Sequence, residues 1–163
     1  MSATSHEGPT GVPLLAGLAN WSPWVPFTNA VRTAPKEPGV YLARQGDEVL
    51  YVGMAGPRDR GGKATPKGLR GRLAFYGSGK ALASGLGEAV FARAIADADW
   101  LRARLADVEA GHPATLRDWG RAAFQRADLQ VCWAVTADRA AATELERRVI
   151  DLLRDQGLWN QRV

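Results

Sequence analysis

The segment from Gly39 to Gly53 constrains the fold of this chain most tightly, because it has the pattern of a β-hairpin. Apolar and β-branched residues flank residues 45–47, a short polar stretch that contains a glycine and predicts the turn. A turn over these three residues places Tyr41 opposite Tyr51 on the neighbouring strand. The chain is therefore expected to contain at least one antiparallel strand pair.

Side chains in the predicted hairpin alternate between the two faces of the sheet. One face is expected to face the core, because it carries Val40, Leu42, Leu50 and Val52. Tyr41 and Tyr51 then lie side by side on the other, non-core face. The pair has two interpretations: a functional site, or a cross-strand aromatic contact that stabilises the sheet by about 0.2–1 kcal/mol.

The rest of the chain predicts a small α+β protein, because only one further strand, over residues 129–135, is expected. Apolar periodicity and capping residues indicate four helices. These are expected at about 68–76, at 86–109, from the cap Thr115 to 124, and from a cap at Thr136 or Asp138 to 156.

The chain of 163 residues is long enough for one domain with an additional arm. Residues 1–12 are small, polar and rich in glycine and proline, and we expect them to be disordered. Residues 13–38 are expected to form an N-terminal arm that packs on the domain. The domain itself is predicted over 39–163, with a helical insertion at about 78–128.

The excess of positive charge is concentrated in one stretch that Asp59 alone opposes. This stretch is either a surface that faces phosphate groups or an ordinary solvated loop. Its candidate nucleic-acid-binding residues are Arg58, Arg60, Lys63, Lys67 and Arg70.

Two classes of protein are disfavoured by composition. The single cysteine, Cys132, excludes a disulfide framework and a cysteine-based zinc site within one chain. Nothing in the sequence is typical of a signal peptide or a membrane span, so no membrane association and a cytoplasmic location are expected.

Two charged residues occupy positions where a helix should be apolar. Arg72 shares one helical strip with leucine and tyrosine neighbours, and Glu146 shares another with valine, isoleucine and leucine. Charges are rarely buried without a partner or a metal. Arg72 and Glu146 therefore form a structural ion pair, reach water at the edges of their strips, or belong to a functional site.

A functional site that contains these groups could cleave a phosphodiester. A carboxylate can bind Mg²⁺ or Mn²⁺ and leave the other positions to water and phosphate oxygen. A guanidinium can stabilise charge on the phosphate oxygens. A phenol can accept a proton from water if nearby cations lower its pKa from about 10.

The order and spacing of these residues resemble the GIY-YIG nuclease superfamily from Gly39 to Asn160. The similar segments are Gly39-Val40-Tyr41, Tyr51-Val52-Gly53, residues 68–73 with Arg72, Tyr76 one turn later, Leu145-Glu146, and Asn160. The chain departs from many members at Met54, where they carry a lysine. Lys63 or Lys67 could take the place of that lysine.

The resemblance implies a three-stranded, mostly antiparallel sheet flanked by helices, and hydrolysis of a nucleic acid. It also implies one Mg²⁺ or Mn²⁺ per active site, held by Glu146. The catalytic residues that it implies are Tyr41, Tyr51, Arg72, Tyr76, Glu146 and Asn160. Members differ in which motif tyrosine is the general base, so Tyr41 and Tyr51 are not ranked.

The leading hypothesis is therefore a metal-dependent endonuclease acting on DNA, as a monomer or homodimer, and associated with the nucleoid when bound to DNA. A ribonuclease, a non-catalytic nucleic-acid-binding module of the same fold, and a purely structural α+β protein are the alternatives. The sequence leaves open whether the substrate is single-stranded, branched or duplex.

Overall fold

The computed structural model describes residues 12–57, 68–112 and 114–160. Over these residues, six α-helices surround one four-stranded sheet. The strands are Val25–Pro26 (β1), Gly39–Gln45 (β2), Glu48–Ala55 (β3) and Gln130–Val135 (β4). The helices are Phe27–Thr33 (α1), Leu69–Gly77 (α2), Gly85–Ile95 (α3), Ala98–Glu109 (α4), Leu116–Ala127 (α5) and Arg139–Leu153 (α6). Short 3₁₀ turns cover Pro13–Leu15 and Arg154–Gln156.

The sheet has the strand order β1-β4-β2-β3, and every pairing in it is antiparallel. The predicted α+β class is confirmed, but the predicted number of three strands is wrong. The fourth strand comes from the N-terminal segment, where Val25 pairs with Val131. This strand was not predicted, because two residues are too few to show an alternation of apolar and polar side chains. Pro26 is tolerated in it because β1 lies at the edge of the sheet.

The hairpin forms, but its predicted register is wrong. Gln45 pairs with Glu48, so the turn has two residues and begins at Gly46, which adopts a positive φ of 53°. Tyr41 lies opposite Gly53, and Tyr51 lies opposite Ala43. The difference is two residues: the turn has two residues instead of the predicted three, and a β-bulge on β3 adds one unpaired residue between Val49 and Tyr51.

Both faces of the sheet are buried, so the predicted non-core face is wrong. One face packs against α6 through a cluster that includes Val40, Leu42, Val49, Val52, Cys132 and Val149. Val49 takes the place predicted for Leu50, because the bulge shifts the alternation. The other face packs against α1, α2, α3 and α5 through a cluster that includes Tyr41, Ala43, Leu73, Tyr76, Leu86 and Phe124.

The helix predicted over 86–109 is wrong, because two helices occupy that segment. α3 ends at Ile95, and Asp97 caps α4 by accepting hydrogen bonds from the N–H groups of Asp99 and Trp100. The caps at Thr115 and Asp138 are confirmed. No helix in the described part of the chain has both the length and the apolar character that a membrane crossing needs.

Candidate active site

A cleft opens along β3, at the free edge of the sheet. α3 approaches it from one face of the sheet and α6 from the other. The cleft has a volume of about 320 Å³ and is lined by Tyr51, Gly85, Glu88, Glu146, Ile150, Trp159 and Asn160. Side chains from three separate elements and from the segment after α6 therefore meet at one opening.

The chain has three tyrosines, and they meet at this cleft, with Tyr51 in its lining and the other two behind it. The ring centroids of Tyr41 and Tyr51 are 6.2 Å apart and those of Tyr41 and Tyr76 are 6.3 Å apart. The hydroxyl group of Tyr41 donates a hydrogen bond of 3.1 Å to the hydroxyl oxygen of Tyr76. Tyr41 and Tyr76 are buried, whereas Tyr51 is half-buried and reaches the cleft.

Burial raises the pKa of both motif tyrosines above the ordinary value of 10. For Tyr41 the next causes are the neighbouring phenols, and for Tyr51 they are Tyr76 and the negative charge of Glu146. The positive charge of Arg72 lowers both pKa values but does not outweigh burial. Both hydroxyl groups are consequently protonated at neutral pH in the protein alone.

Gly85 allows the start of α3 to lie directly against the tyrosine hydroxyls. Its φ is +53°, and a Cβ atom at this position would lie 2.5 Å from Oη of Tyr76 and 3.1 Å from Oη of Tyr51. The next residue, Leu86, donates its N–H to Oη of Tyr76 over 3.4 Å. A side chain at Gly85 would therefore separate α3 from the hydroxyls and narrow the cleft.

Glu146 is half-buried on α6 and extends into the cleft. Burial raises the pKa of its carboxyl group, and the guanidinium groups of Arg139 and Arg72 oppose that rise. Glu146, Arg139 and Arg72 all lie in the described part of the chain, and no salt bridge joins Glu146 to either arginine. The structural ion pair between Arg72 and Glu146, one of the alternatives from sequence, is therefore not formed.

Asn160 fixes the segment after α6 to the edge of the sheet. Its Nδ2 donates to the carbonyl oxygen of Val52 over 2.7 Å, and its Oδ1 accepts from the N–H of Val52 over 3.1 Å. The N–H of Trp159 also donates to the carbonyl oxygen of Leu50, the extra residue of the bulge, over 2.6 Å. The side-chain amide of Asn160 thus holds the segment after α6 against the main chain of β3, and this attachment forms one side of the cleft.

The structure brings together most of the predicted site residues. Tyr51, Glu146 and Asn160 line the cleft, Tyr41 and Tyr76 lie behind it, and the charge of Arg72 acts on Tyr41, Tyr51 and Glu146.

Of the five predicted nucleic-acid-binding residues, the structure describes one, Arg70. Arg70 holds the N-terminal segment, because its Nε donates to the carbonyl oxygen of Ala34 over 2.6 Å. The other four of these residues lie outside the described residues, namely Arg58, Arg60, Lys63 and Lys67.

Three residues at or near the cleft were not identified from sequence. Glu88 lies in the first turn of α3, where an acidic residue is expected from the helix dipole alone. Arg139 begins α6, donates to the carbonyl oxygen of Gly56 over 3.2 Å, and lies seven residues before Glu146 on the same helical face. Trp159 follows the last helix, where the sequence has no periodic signal.

The cleft offers carboxylate oxygens, which Mg²⁺ and Mn²⁺ prefer as ligands. Within residues 12–57, 68–112 and 114–160, no group of three or more His, Cys, Asp or Glu side chains is arranged to hold a metal ion. Glu146 and Glu88 both line the cleft. One or two carboxylates beside an open volume suit Mg²⁺, which usually keeps several waters and completes its coordination with substrate phosphate.

Comparison of the chain with protein-family models, with curated proteins and with solved structures gave no match. The resemblance to the GIY-YIG superfamily therefore remains a prediction from the motif residues. What the chain can do chemically has to be inferred from the cleft itself.

Proposed function

We propose that this chain is a divalent-metal-dependent endonuclease of the GIY-YIG type that hydrolyses phosphodiester bonds of DNA. The observation that carries the proposal is that Tyr51 of β3 and Glu146 of α6 line one cleft, and that the charge of Arg72 on α2 acts on both of them. Together a phenol, a carboxylate and a guanidinium can supply proton transfer, a metal ligand and stabilisation of transition-state charge, which are three contributions to hydrolysis of a phosphodiester.

Glu146 is the proposed metal ligand, with Glu88 on the facing helix as a second carboxylate. Arg139 and Arg72 favour the ionised form of Glu146 against the effect of burial. A cation bound to Glu146 would neutralise charge on the phosphate and on the leaving oxygen, and would supply positive charge beside Tyr51.

Tyr51 is the proposed residue that orients the attacking water and accepts its proton. It is the motif tyrosine that reaches the cleft, whereas Tyr41 is only 1% exposed and its hydroxyl is bonded to Tyr76. Burial keeps Tyr51 protonated in the protein alone. Tyr51 can accept the proton of the attacking water only after it has released its own proton to solvent, and that release requires more positive charge beside the phenol than Arg72 provides. Arg72 is proposed to stabilise the charge that develops on the phosphate oxygens.

A non-catalytic nucleic-acid-binding module is the second candidate. One observation favours it: burial raises the pKa of Tyr51, which leaves the hydroxyl protonated and unable to accept a proton in the protein alone. Such a module would bind nucleic acid at the same cleft without cleaving it.

A cleavage panel separates these candidates. Single-stranded DNA, duplex DNA, flap DNA and RNA are incubated with the protein in Mg²⁺, in Mn²⁺ or in EDTA. The key variant is Glu146→Ala. Its matched control is Glu144→Ala, which removes an exposed glutamate of the same helix that pairs with Arg147 over 2.7 Å.

We expect metal-dependent cleavage by the wild type and by Glu144→Ala. Glu146→Ala should show none, at a melting temperature no lower than that of the wild type. Full activity of Glu146→Ala would exclude its role as the metal ligand. Binding without cleavage on any substrate would identify the chain as a binding module, and cleavage of RNA alone would make it a ribonuclease.

A further inference from the structure

A second, wider groove adjoins the cleft and shares one residue with it. The groove has a volume of about 700 Å³ and is lined by Gln45, Arg93, Ala96, Asp97, Arg126 and Trp159. Trp159 is the shared residue, since it also lines the cleft. A linear ligand could therefore pass from the cleft across Trp159 into the groove.

Trp159 is held rigidly at this boundary. The main-chain N–H of Trp159 donates to the carbonyl oxygen of Leu50. The side-chain amide of the next residue, Asn160, makes two hydrogen bonds with the main chain of Val52. The guanidinium carbon of Arg93 lies 3.9 Å from the centroid of the Trp159 ring, in a cation–π contact. Nη1 of Arg93 donates to the carbonyl oxygen of Ala89 over 3.0 Å, which fixes the guanidinium over the ring.

The charge in the groove is positive. Arg126 is paired with Asp97 over 2.9 Å, so these two charges largely cancel. Arg93 is exposed and has no carboxylate partner among the ion pairs of the described residues. Arg93 covers one face of the indole ring, and the part of half-buried Trp159 that a base can reach is the part that lines the cleft and the groove. A partly exposed indole beside an unneutralised guanidinium suits a ligand that is both aromatic and anionic, such as a nucleotide.

We propose that Trp159 and Arg93 form a stacking platform for an unpaired base, and that the site therefore selects single-stranded nucleic acid. This inference rests on the proposed function, because it places the phosphate next to that base in the cleft with Glu146. A base in a duplex is already stacked and paired, and it would have to leave the helix to reach the platform. A single strand can place a base there without that cost.

A purely structural role for the same pair makes a different prediction. If Arg93 and Trp159 only attach the segment after α6 to α3, their removal lowers the melting temperature and affects all nucleic acids equally. If they form a platform, their removal weakens the binding of single strands selectively. The ratio of the two affinities is therefore the quantity that distinguishes the two roles.

The experiment measures binding of fluorescently labelled single-stranded DNA and of a blunt duplex of the same sequence by anisotropy, in EDTA and at fixed salt. The variants are Trp159→Leu, Trp159→Phe and Arg93→Gln. Arg102→Gln is the matched control, since it removes an exposed arginine of α4 that does not line the groove. The melting temperature of each variant is recorded in parallel.

We expect Trp159→Leu to bind the single strand about tenfold more weakly, since stacking contributes roughly 1–3 kcal/mol per base. Arg93→Gln should show a smaller selective loss, Trp159→Phe should retain most of the affinity because it keeps an aromatic ring, and Arg102→Gln should match the wild type. An equal loss for duplex and single strand, or no loss with either Trp159→Leu or Arg93→Gln, would overturn the proposal.

Failure of this inference is distinguishable from failure of the proposed function. Wild-type cleavage in Mg²⁺ that is equal on single strands and duplexes would reject the platform and retain the nuclease. Selective binding of single strands without cleavage in any metal would reject the nuclease and retain the platform.

Discussion

Tyr41 and Tyr51 belong to similar motifs on paired strands, yet they lie in two different regions of the molecule. Tyr41 is enclosed by the core, and its hydroxyl is bonded to that of Tyr76. Tyr51 lies at the edge strand, where its ring faces a cleft that also holds Glu146. Burial raises the pKa of both residues, but only Tyr51 is in a position to meet a ligand.

This difference indicates a division of roles. The inner hydroxyl cluster, formed by Tyr41 and Tyr76, fixes the start of α3 through the hydrogen bond from the N–H of Leu86. The cleft residues, Tyr51 and Glu146, are exposed enough to exchange ligands with solvent. Substitutions in the cluster should therefore lower stability, and substitutions in the cleft should lower activity.

The most severe test of this division is Tyr51→Phe. Removing the hydroxyl of the proposed proton acceptor should lower the rate of cleavage by about 10²- to 10⁴-fold. The melting temperature should stay close to that of the wild type, because Tyr51 is only half-buried and its ring is retained. Single-turnover cleavage and thermal melts measure the two effects. An unchanged cleavage rate would show that a group other than Tyr51 accepts the proton.

Arg72→Ala should have the next largest effect, because the charge of Arg72 acts on both regions. We expect turnover to fall about 10²-fold, as for the loss of a group that stabilises transition-state charge, with a much smaller change in the affinity for DNA. Arg102→Ala is the control, since Arg102 is an exposed arginine of α4 that does not line the cleft. Equal losses in turnover and affinity would indicate a simple phosphate contact.

Tyr41→Phe tests the inner cluster. The substitution removes the hydroxyl that donates to Tyr76 and should lower the free energy of unfolding by about 1 kcal/mol. Cleavage should change less than tenfold, because Tyr41 does not line the cleft. Urea denaturation and the cleavage assay measure these quantities. A large loss of cleavage with little loss of stability would place Tyr41 in the chemistry and contradict the division.

The smallest expected effect is a gain of stability in Glu146→Gln. Because the pKa of Glu146 is raised, the folded protein binds this proton more tightly than the unfolded chain does. The corresponding stability is present below the unfolded pKa of about 4.3 and is lost as the pH rises through the folded value.

A neutral glutamine should therefore raise the melting temperature at pH 7 and leave it unchanged at pH 4. Glu144→Gln is the control with the opposite sign, since Arg147 lowers the pKa of Glu144. A lower melting temperature for Glu146→Gln at pH 7 would show that the carboxylate stabilises the fold.

Local patterns predicted much of the fold. The hairpin residues, the strand near residue 132, and the caps at Thr115 and Asp138 follow from alternation and from short-range hydrogen bonding. The register did not follow, because the turn has two residues instead of three and a bulge adds Leu50 to β3, and the alternation of apolar residues reveals neither. The break of the predicted long helix at Asp97 was missed because apolar periodicity continues across it.

The sequence predicts those residues of the candidate site that interrupt the apolar periodicity of a helix. Arg72 and Glu146 stand out from sequence because each interrupts an apolar strip. Glu88 and Trp159 do not, because their importance arises only from the elements that face them across the cleft. Long-range neighbours of this kind leave no periodic trace in the sequence.

The attachment of Asn160 to β3 has a further consequence, for self-association. An edge strand presents unpaired N–H and C=O groups that can recruit a strand of another molecule. Here the amide of Asn160 satisfies the N–H and C=O of Val52, and Trp159 occupies the carbonyl oxygen of Leu50. The residues that border the cleft thereby also protect part of this edge against intermolecular β-pairing.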